Sequence, residues 1–218
     1  MVRSGHYGNQ PPASVTIPTH IATDPLLAES AAPVFSEYEN FVVRKRALSR
    51  REIITLIRAI RDTPCITGYT AREWRESGPV FVAEKRSGEV MGACLHDDFA
   101  GDFSEIAVLF VFERHRRNGA GRALFDASCT HLFQRRRNAL IVFREDAISR
   151  MVQQAGFVVF PTLSDLWGQY EVFTRLLNVQ YQRHWLANPY RRFEITRKRK
   201  VFGAQASFRY GLNLYGTG

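Results

Sequence analysis

The sequence has 218 residues, of which 45% are hydrophobic, and its 30 Lys and Arg residues outnumber its 21 Asp and Glu residues to give a formal net charge of +9. This composition predicts a globular chain with a sizeable core. The basic balance favours an acidic partner but equally serves solubility alone, and both interpretations stay open.

The cysteines and the apolar runs argue against several classes of protein. Cys65, Cys94 and Cys129 are widely spaced, with no C-x-x-C pair and no matching histidines, so we expect neither a disulfide framework nor a metal site. No apolar run approaches the roughly 20 residues that a membrane span requires. We therefore expect a cytoplasmic protein with reduced thiols and no membrane contact.

The first part of the chain predicts an arm followed by a strand and a helix. Residues 1–36 are rich in Pro, Ser, Thr, Ala and Gly and lack periodicity, which is typical of an extended N-terminal arm. Residues 41–45 predict the first strand, and Ser49 then caps a helix. The apolar residues of this helix are spaced to form one buried stripe, at Ile53, Leu56, Ile57 and Ile60.

Two apolar runs around a Ser-Gly turn predict a hairpin. They cover residues 80–85 and 89–95, with the turn at 86–88. An acidic segment that contains Asp97 and Asp98 follows the second run. We expect it to be a solvated loop, with contact to a substrate amine as the alternative.

The central stretch predicts a buried strand that leads through a basic glycine turn into a helix. Residues 106–112 are an unbroken apolar, β-branched and aromatic run, and the helix is expected to end near Gln134. Such a helix start leaves backbone N–H groups without intrahelical partners. These donors, the positive end of the helix and the flanking arginines predict a pyrophosphate site at residues 113–121.

The remaining chain predicts a strand at residues 139–143, a short helix capped by Asp146, and two last strands at 158–160 and 170–177. The segment after residue 178 mixes basic and aromatic residues. That mixture is typical of a groove for single-stranded nucleic acid, but a tail that packs onto its own domain or a partner uses it equally. We favour packing.

Two motifs resemble a known family. Arg116-x-x-Gly119-x-Gly121, five residues after Val111, resembles the acetyl-CoA motif of the GNAT N-acetyltransferases, Q/R-x-x-G-x-G/A. The strand, short helix and Gly156-Phe157 pair resemble the second conserved segment of that family. The resemblance implies the α/β (α+β) GNAT fold: a central mixed, mostly antiparallel sheet of about six or seven strands, helices on both faces and a splayed central strand pair.

The resemblance also implies a domain organisation and a cofactor. We expect the N-terminal arm over residues 1–36, the acetyltransferase domain over 37–178 and a basic, aromatic C-terminal extension over 179–218. No metal is expected, and acetyl-CoA is the implied cofactor. The residues implied to bind acetyl-CoA are Val111, Arg116, Arg117, Asn118, Gly119, Ala120, Gly121 and Arg122.

The implied chemistry needs a base and an acid. Glu105 lies six residues before Val111, close to the offset of the glutamate base in the histone-acetyltransferase branch, although a strand-end glutamate that faces water is the alternative. The position of the family's usual tyrosine acid is occupied by Val152. Tyr170 is therefore the candidate acid, with Ser149 or water as alternatives.

The sequence thus predicts an acyltransferase that transfers acetyl from acetyl-CoA to a primary amine by direct attack. The competing interpretation is an inactive, GNAT-like structural component of a ribonucleoprotein or other large complex. Nucleic acid or an acidic protein is a candidate partner for the C-terminal extension, and a homodimer is left open.

Overall fold

The computed structural model describes residues 34–64, 66, 68–99, 101–171, 175, 177–179, 182, 188–203 and 208–216, with no side-chain description at 34 and 35. Residues 1–33 of the predicted N-terminal arm lie outside the described residues, and so does Cys65. Cys94 and Cys129 are both buried and unpaired with each other.

The described residues include eight strands and six α-helices with defined bounds, and residues 171, 175, 177–179 and 182 are also helical. The strands are β1 (Val34–Glu37), β2 (Phe41–Arg46), β3 (Val80–Lys85), β4 (Val90–Phe99), β5 (Phe103–Val111), β6 (Asn138–Phe143), β7 (Val158–Phe160) and β8 (Arg209–Asn213). The helices are α1 (Arg50–Arg61), α2 (Ala71–Glu76), α3 (Ala120–Gln134), α4 (Asp146–Gln154), α5 (Leu163–Gln169) and α6 (Pro189–Phe202).

The strands form one mixed sheet in the order β1-β2-β3-β4-β5-β6-β8-β7. Strands β5 and β6 pair in parallel, and the other neighbouring pairs are antiparallel. The predicted mixed, mostly antiparallel α/β class is confirmed, with eight described strands where six or seven were expected.

Helices cover both faces of the sheet. On one face, Leu124 and Phe125 of α3 pack in a core cluster with Val152 of α4 and with β-strand residues. On the other face, the stripe Ile53, Leu56 and Ile60 of α1 packs with Trp74 of α2. Because β5 contributes residues to both clusters, it is covered on both sides, as its unbroken apolar run predicts.

Helix α1 begins where the sequence predicts. The Ser49 hydroxyl accepts a hydrogen bond from the Glu52 backbone N–H at 3.3 Å, and the Glu52 carboxylate accepts one from the Ser49 N–H at 2.7 Å. This reciprocal capping box satisfies two backbone donors that the first helical turn otherwise leaves open.

Three predicted assignments are wrong. Asp146 is the first residue of α4, and the N-cap is Glu145. Residues 96–98 are not a loop, because β4 continues to Phe99 and pairs with β5 over that stretch. Residues 170–177 are not the last strand, because residues 171, 175 and 177–179 are helical and Glu171 pairs with Arg175 one turn later. The last strand is β8, which inserts between β6 and β7.

The arginines after α3 hold the turn between β4 and β5. Arg137 Nε donates to the Ser104 hydroxyl at 2.7 Å, and its guanidinium also donates to the carbonyls of Phe99 and Phe103. Arg135 pairs with Asp98. These cations therefore do more than complement the helix dipole, since they connect the C-terminus of α3 to the sheet.

Candidate active site

A cleft opens where β5 and β6 separate. Their parallel pairing runs from Phe103 opposite Asn138 to Ile106 opposite Ile141 and ends there, although β5 continues to Val111 and β6 to Phe143. A cavity of about 810 Å³ occupies the gap. The predicted splayed central pair is confirmed.

A bulge in β5 lies at the inner end of the cleft. Leu95 of β4 pairs with Val108 and the next residue, His96, pairs with Ile106, so Ala107 is an extra residue. Bulges redirect side chains and are frequent beside active sites. Here the bulge places Ile106 in the core cluster of α3 and Val108 in the cluster of α1.

Gly92 sets how closely β4 approaches the same strand. A Cβ at this position would lie 2.3 Å from the Phe110 carbonyl oxygen and 3.0 Å from the Val111 Cα. Only glycine fits against the backbone there without moving β5, and Val111 lines the cavity. Gly92 thus helps to fix the outer wall of the cleft.

The basic glycine turn lies at the mouth of the cleft. Gly119 is the N-cap of α3 with φ of 79°, no side chain caps the helix, and its first turn holds no acidic residue. The first described intrahelical bond runs from Ala123 N to Gly119 O, which leaves three preceding N–H groups without an intrahelical acceptor. A backbone with these open donors can bind an anion.

Several predicted cofactor residues converge on the cavity, namely Val111, Arg116, Arg117, Gly121 and Arg122. Arg117 adopts φ of 65°, a left-handed conformation that turns the chain toward the helix start. Asn118, Gly119 and Ala120 complete the turn between these lining residues. Their role in cofactor binding stays a prediction.

Glu105 lines the cavity on the face of the sheet that carries α1, and it pairs across strands with Asp97. Tyr69 and Tyr210 line the same cavity. Burial raises the pKa of both phenols, and the negative charge of Glu105 raises each further. Both hydroxyls therefore carry their proton at neutral pH and can donate it.

Tyr170 lies elsewhere. Its ring packs edge-on against Phe160, with ring centres 5.9 Å apart, beside a core cluster that includes Leu140 and Leu212. It is not among the described residues that line the cavity. Val152 is fully buried in the core under α3, so the position of the usual tyrosine is an apolar packing position.

Sequence reasoning missed Tyr69 and Tyr210 as cavity residues. A signal for Tyr210 was present, because apolar residues alternate with others at Phe208, Tyr210, Leu212 and Leu214, which is the period of a strand. Nothing local indicates that this strand would insert beside β6. No comparable signal marks Tyr69.

Helix α6 of the C-terminal extension builds one wall of the site. Arg191 stacks over the Tyr69 ring, 4.1 Å from its centre, and its Nε donates to Glu73 at 2.8 Å. Lys198 Nζ donates to the carbonyls of Ile60, Thr63 and Ile66 at 2.7, 2.6 and 2.6 Å. The described part of the extension thus packs onto the domain, as favoured from the sequence.

The described residues lack both a metal site and a membrane-spanning helix. No group of three or more His, Cys, Asp or Glu side chains among them is arranged to hold a metal ion. None of the helices in that part of the chain combines the length and apolar character needed to cross a membrane.

Comparison with known proteins gives a family and a fold. The model of the acetyltransferase (GNAT) family matches residues 52–157. The chain is similar to N-acetylglutamate synthase from Neisseria gonorrhoeae, solved with coenzyme A and N-acetyl-glutamate, with a TM-score of 0.54 and 13% identity over 82% of this chain and 36% of that one. The chain therefore spans about a third of the synthase, and the likeness shows the fold alone.

Two smaller proteins also match. Ard1 from Thermoplasma volcanium is 25% identical with a TM-score of 0.44, over 56% of this chain and 87% of its own. The ribosomal-protein-S18-alanine N-acetyltransferase from Escherichia coli is 14% identical with a TM-score of 0.44, over 57% and 86%. Comparison with curated protein sequences gave no match. With the splayed strands and the matched segment together, residues 52–157 belong to the GNAT acetyltransferase family.

Proposed function

We propose that the protein is an acetyl-CoA-dependent N-acetyltransferase that acts on a primary amine by direct attack. The observation that carries this proposal is the cleft between β5 and β6, which opens beside an uncapped helix start flanked by arginines. The neisserial synthase of similar fold was solved with coenzyme A, which supports the same donor here.

The residues at the cleft fit the donor. The open N–H groups at the start of α3 and the guanidinium groups of Arg116 and Arg117 suit a diphosphate. The strand edges left unpaired beyond Ile106 and Ile141 suit an extended polar arm. Acetyl-CoA supplies the activated acetyl group when bound.

The chain's own side chains then carry the proton transfers. We assign Glu105 as the general base, because this carboxylate of β5 lines the cavity and its negative charge acts on the two tyrosines there. We assign the proton donor to Tyr210 rather than to Tyr170, because Tyr210 lines the cavity and Tyr170 packs against Phe160. A protonated phenol near the reacting groups can return a proton to a departing thiolate.

The test is a comparison of wild type with Glu105→Gln, using an amine panel and release of free thiol as the readout. General-base catalysis typically contributes about 10²- to 10⁴-fold, so kcat/KM should fall by at least about a hundredfold and its acidic pH limb should disappear. Affinity for acetyl-CoA, measured by calorimetry, should stay unchanged. If kcat/KM and its pH profile hardly change, Glu105 is not the base.

The nucleic-acid interpretation of the extension is a second candidate that depends on the outer side of α6. Phe193 and Val201 are 60% and 61% exposed there, next to the exposed Arg199 and Lys200. RNA affinity that falls steeply with salt, without thiol release on any amine, would support this candidate. Turnover without such affinity would support the acetyltransferase.

A further inference from the structure

Arg144 lies directly after β6 and lines the same cavity. Its Cζ lies 4.1 Å from the centre of the Phe208 ring, and its Nη1 makes one long hydrogen bond to the Pro64 carbonyl at 3.4 Å. Its Nε is buried and has no hydrogen-bond partner among the described residues. The stacked guanidinium is therefore held in place from two sides while part of its donor capacity stays open.

Arg122 and Arg191, which line the same cavity, are paired with carboxylates, and so is Arg209, whereas Arg144 is not. Arg191 pairs with Glu73 at 2.8 Å, Arg122 with Asp126 at 2.8 Å and Arg209 with Asp146 at 2.8 Å. In the part of the chain that the structure describes, no carboxylate oxygen lies within 4 Å of a nitrogen of Arg144. A partly buried cation without a counter-charge is unfavourable, so such a group commonly marks a site for an anionic ligand.

The position of Arg144 separates it from the predicted diphosphate site. Ile141 and Phe143 face the core cluster of α3, so the alternation along the strand directs Leu140, Val142 and Arg144 to the opposite face. Its contacts with Pro64 and Phe208 place it on that face as well. The open helix start of α3 lies on the other side of the sheet.

Glu105 shares that face and lies further along the cleft. It pairs with Leu140 in the parallel register, and Arg144 follows Leu140 by four residues. Four residues of strand span about 13 Å between Cα positions, and both side chains extend into the shared cavity. A ligand that contacts both groups would carry its amine and its anion several bonds apart.

We propose that Arg144 binds an anionic group of the acceptor, so that the acceptor is a primary amine that carries a carboxylate or a phosphate several bonds from its nitrogen. This inference rests on the proposed acetyltransferase function, since it assigns the acceptor of that same site. Arginine suits the role because its planar fork of donors matches the two oxygens of a carboxylate or phosphate.

The experiment compares pairs of acceptors with the same primary amine and chain, of which one carries an anionic group at its far end and the other a neutral hydroxyl. ω-Amino carboxylates of increasing chain length are paired with ω-amino alcohols of the same length, and phosphoethanolamine is paired with ethanolamine. The variants are Arg144→Gln, Arg144→Lys and the control Arg51→Gln, which removes the same charge from an exposed position in the first turn of α1. Thermal unfolding verifies that each variant is folded.

Wild type should prefer the anionic member of a pair by at least about tenfold in kcat/KM, the scale of one charged hydrogen-bonded contact. Arg144→Gln should remove this preference by raising KM for the anionic acceptors, without changing the neutral ones. Arg144→Lys should keep part of it, and Arg51→Gln all of it. The carboxylate and phosphate pairs show separately which anion the site takes.

Two results with the Arg144→Gln variant would overturn the inference. One is an unchanged preference in Arg144→Gln, and the other is a loss of acetyl-CoA affinity in that variant large enough to account for the whole effect, which would make Arg144 a cofactor residue. Amines acetylated without preference would end this inference alone, whereas no thiol release with any amine would end the proposed function. In that last case, calorimetry with 4-acetamidobutyrate and CoA still tests whether Arg144 binds the anion.

Discussion

The imidazole of His96 lies in a partly buried cluster on β4, beneath α3. Its ring centre is 5.4 Å from that of His131, and Lys45 Nζ lies 2.7 Å from Nε2 of His131. Burial lowers the pKa of His96 to about 4, and the positive charge of His131 and Lys45 adds to this effect. Arg135 acts in the same direction, while Asp98 opposes it.

This depressed pKa predicts loss of stability in mild acid. The unfolded chain binds a proton at His96 near its ordinary pKa of 6.5, whereas the folded chain does not until about pH 4. The contribution of His96 to the free energy of unfolding is therefore fully present above pH 6.5. It is lost as the pH drops toward 4, and the loss between pH 7 and pH 5 is up to about 2 kcal/mol. Urea denaturation at the two pH values should show a smaller fall in His96→Gln. Equal falls in the two proteins would contradict the assignment.

Helix α6 is the element that joins the C-terminal extension to the proposed acceptor side of the cleft. The Lys198 ammonium lies against the C-terminus of α1 and donates hydrogen bonds to three backbone carbonyls there. Only 7% of the residue is exposed. The end of a helix leaves its last carbonyls unsatisfied, and a cation suits the negative end of the helix dipole. Lys198 thereby fixes the segment that carries Thr63 and Ile66, both of which line the cavity.

Lys198→Met is therefore expected to lower the free energy of unfolding by about 3 kcal/mol, because the carbonyls of Ile60, Thr63 and Ile66 lose a charged donor. Urea denaturation measures this loss. The matched control is Lys200→Met, two residues further along the same helix at an exposed position, which should change stability by less than about 0.5 kcal/mol. A similar loss in the two variants would argue against the capping role.

Elements with a strong local pattern could be predicted from the sequence. The capping box of α1, the hairpin of β3 and β4, and the strand, glycine turn and helix from β5 to α3 all depend on residues close together in the chain. Residues 170–177 could not be assigned in the same way, because a short apolar run fits a strand and a helix equally well. In the structure, the helical residues in this segment include an i,i+4 ion pair between Glu171 and Arg175, and Leu177 is buried.

At the scale of the whole molecule, the sheet depends on pairing between distant parts of the chain. Strand β8 pairs Tyr210 with Val142 of β6 on one side and with Phe160 of β7 on the other. Gly211 permits this packing, since a Cβ there would lie 3.0 Å from the Ile141 side chain. Sequence periodicity reports that a segment is extended but not which strand it joins, so Tyr210 and Arg191 could not be placed beside Glu105 from the sequence.

The same separation explains which residues of the candidate site the sequence could bring together. The predicted cofactor loop is local, because Val111, the arginines and the start of α3 follow one another within a dozen residues. The proposed acceptor half draws Tyr69 from the segment before α2, Glu105 from β5, Arg144 from directly after β6 and Arg191 from α6. Only the fold brings these four together.

Calorimetric titration of acetyl-CoA into wild type, Arg117→Glu and Arg51→Glu tests the central claim, that the cleft beside the α3 start binds the diphosphate of the donor. Arg51 is an exposed arginine at the start of α1, so its reversal controls for net charge. We predict one saturable site per chain in wild type and in Arg51→Glu. Arg117→Glu should weaken binding by at least about tenfold, because it places a negative charge beside the site. Equal affinity in all three proteins, or no binding by wild type, would contradict the account.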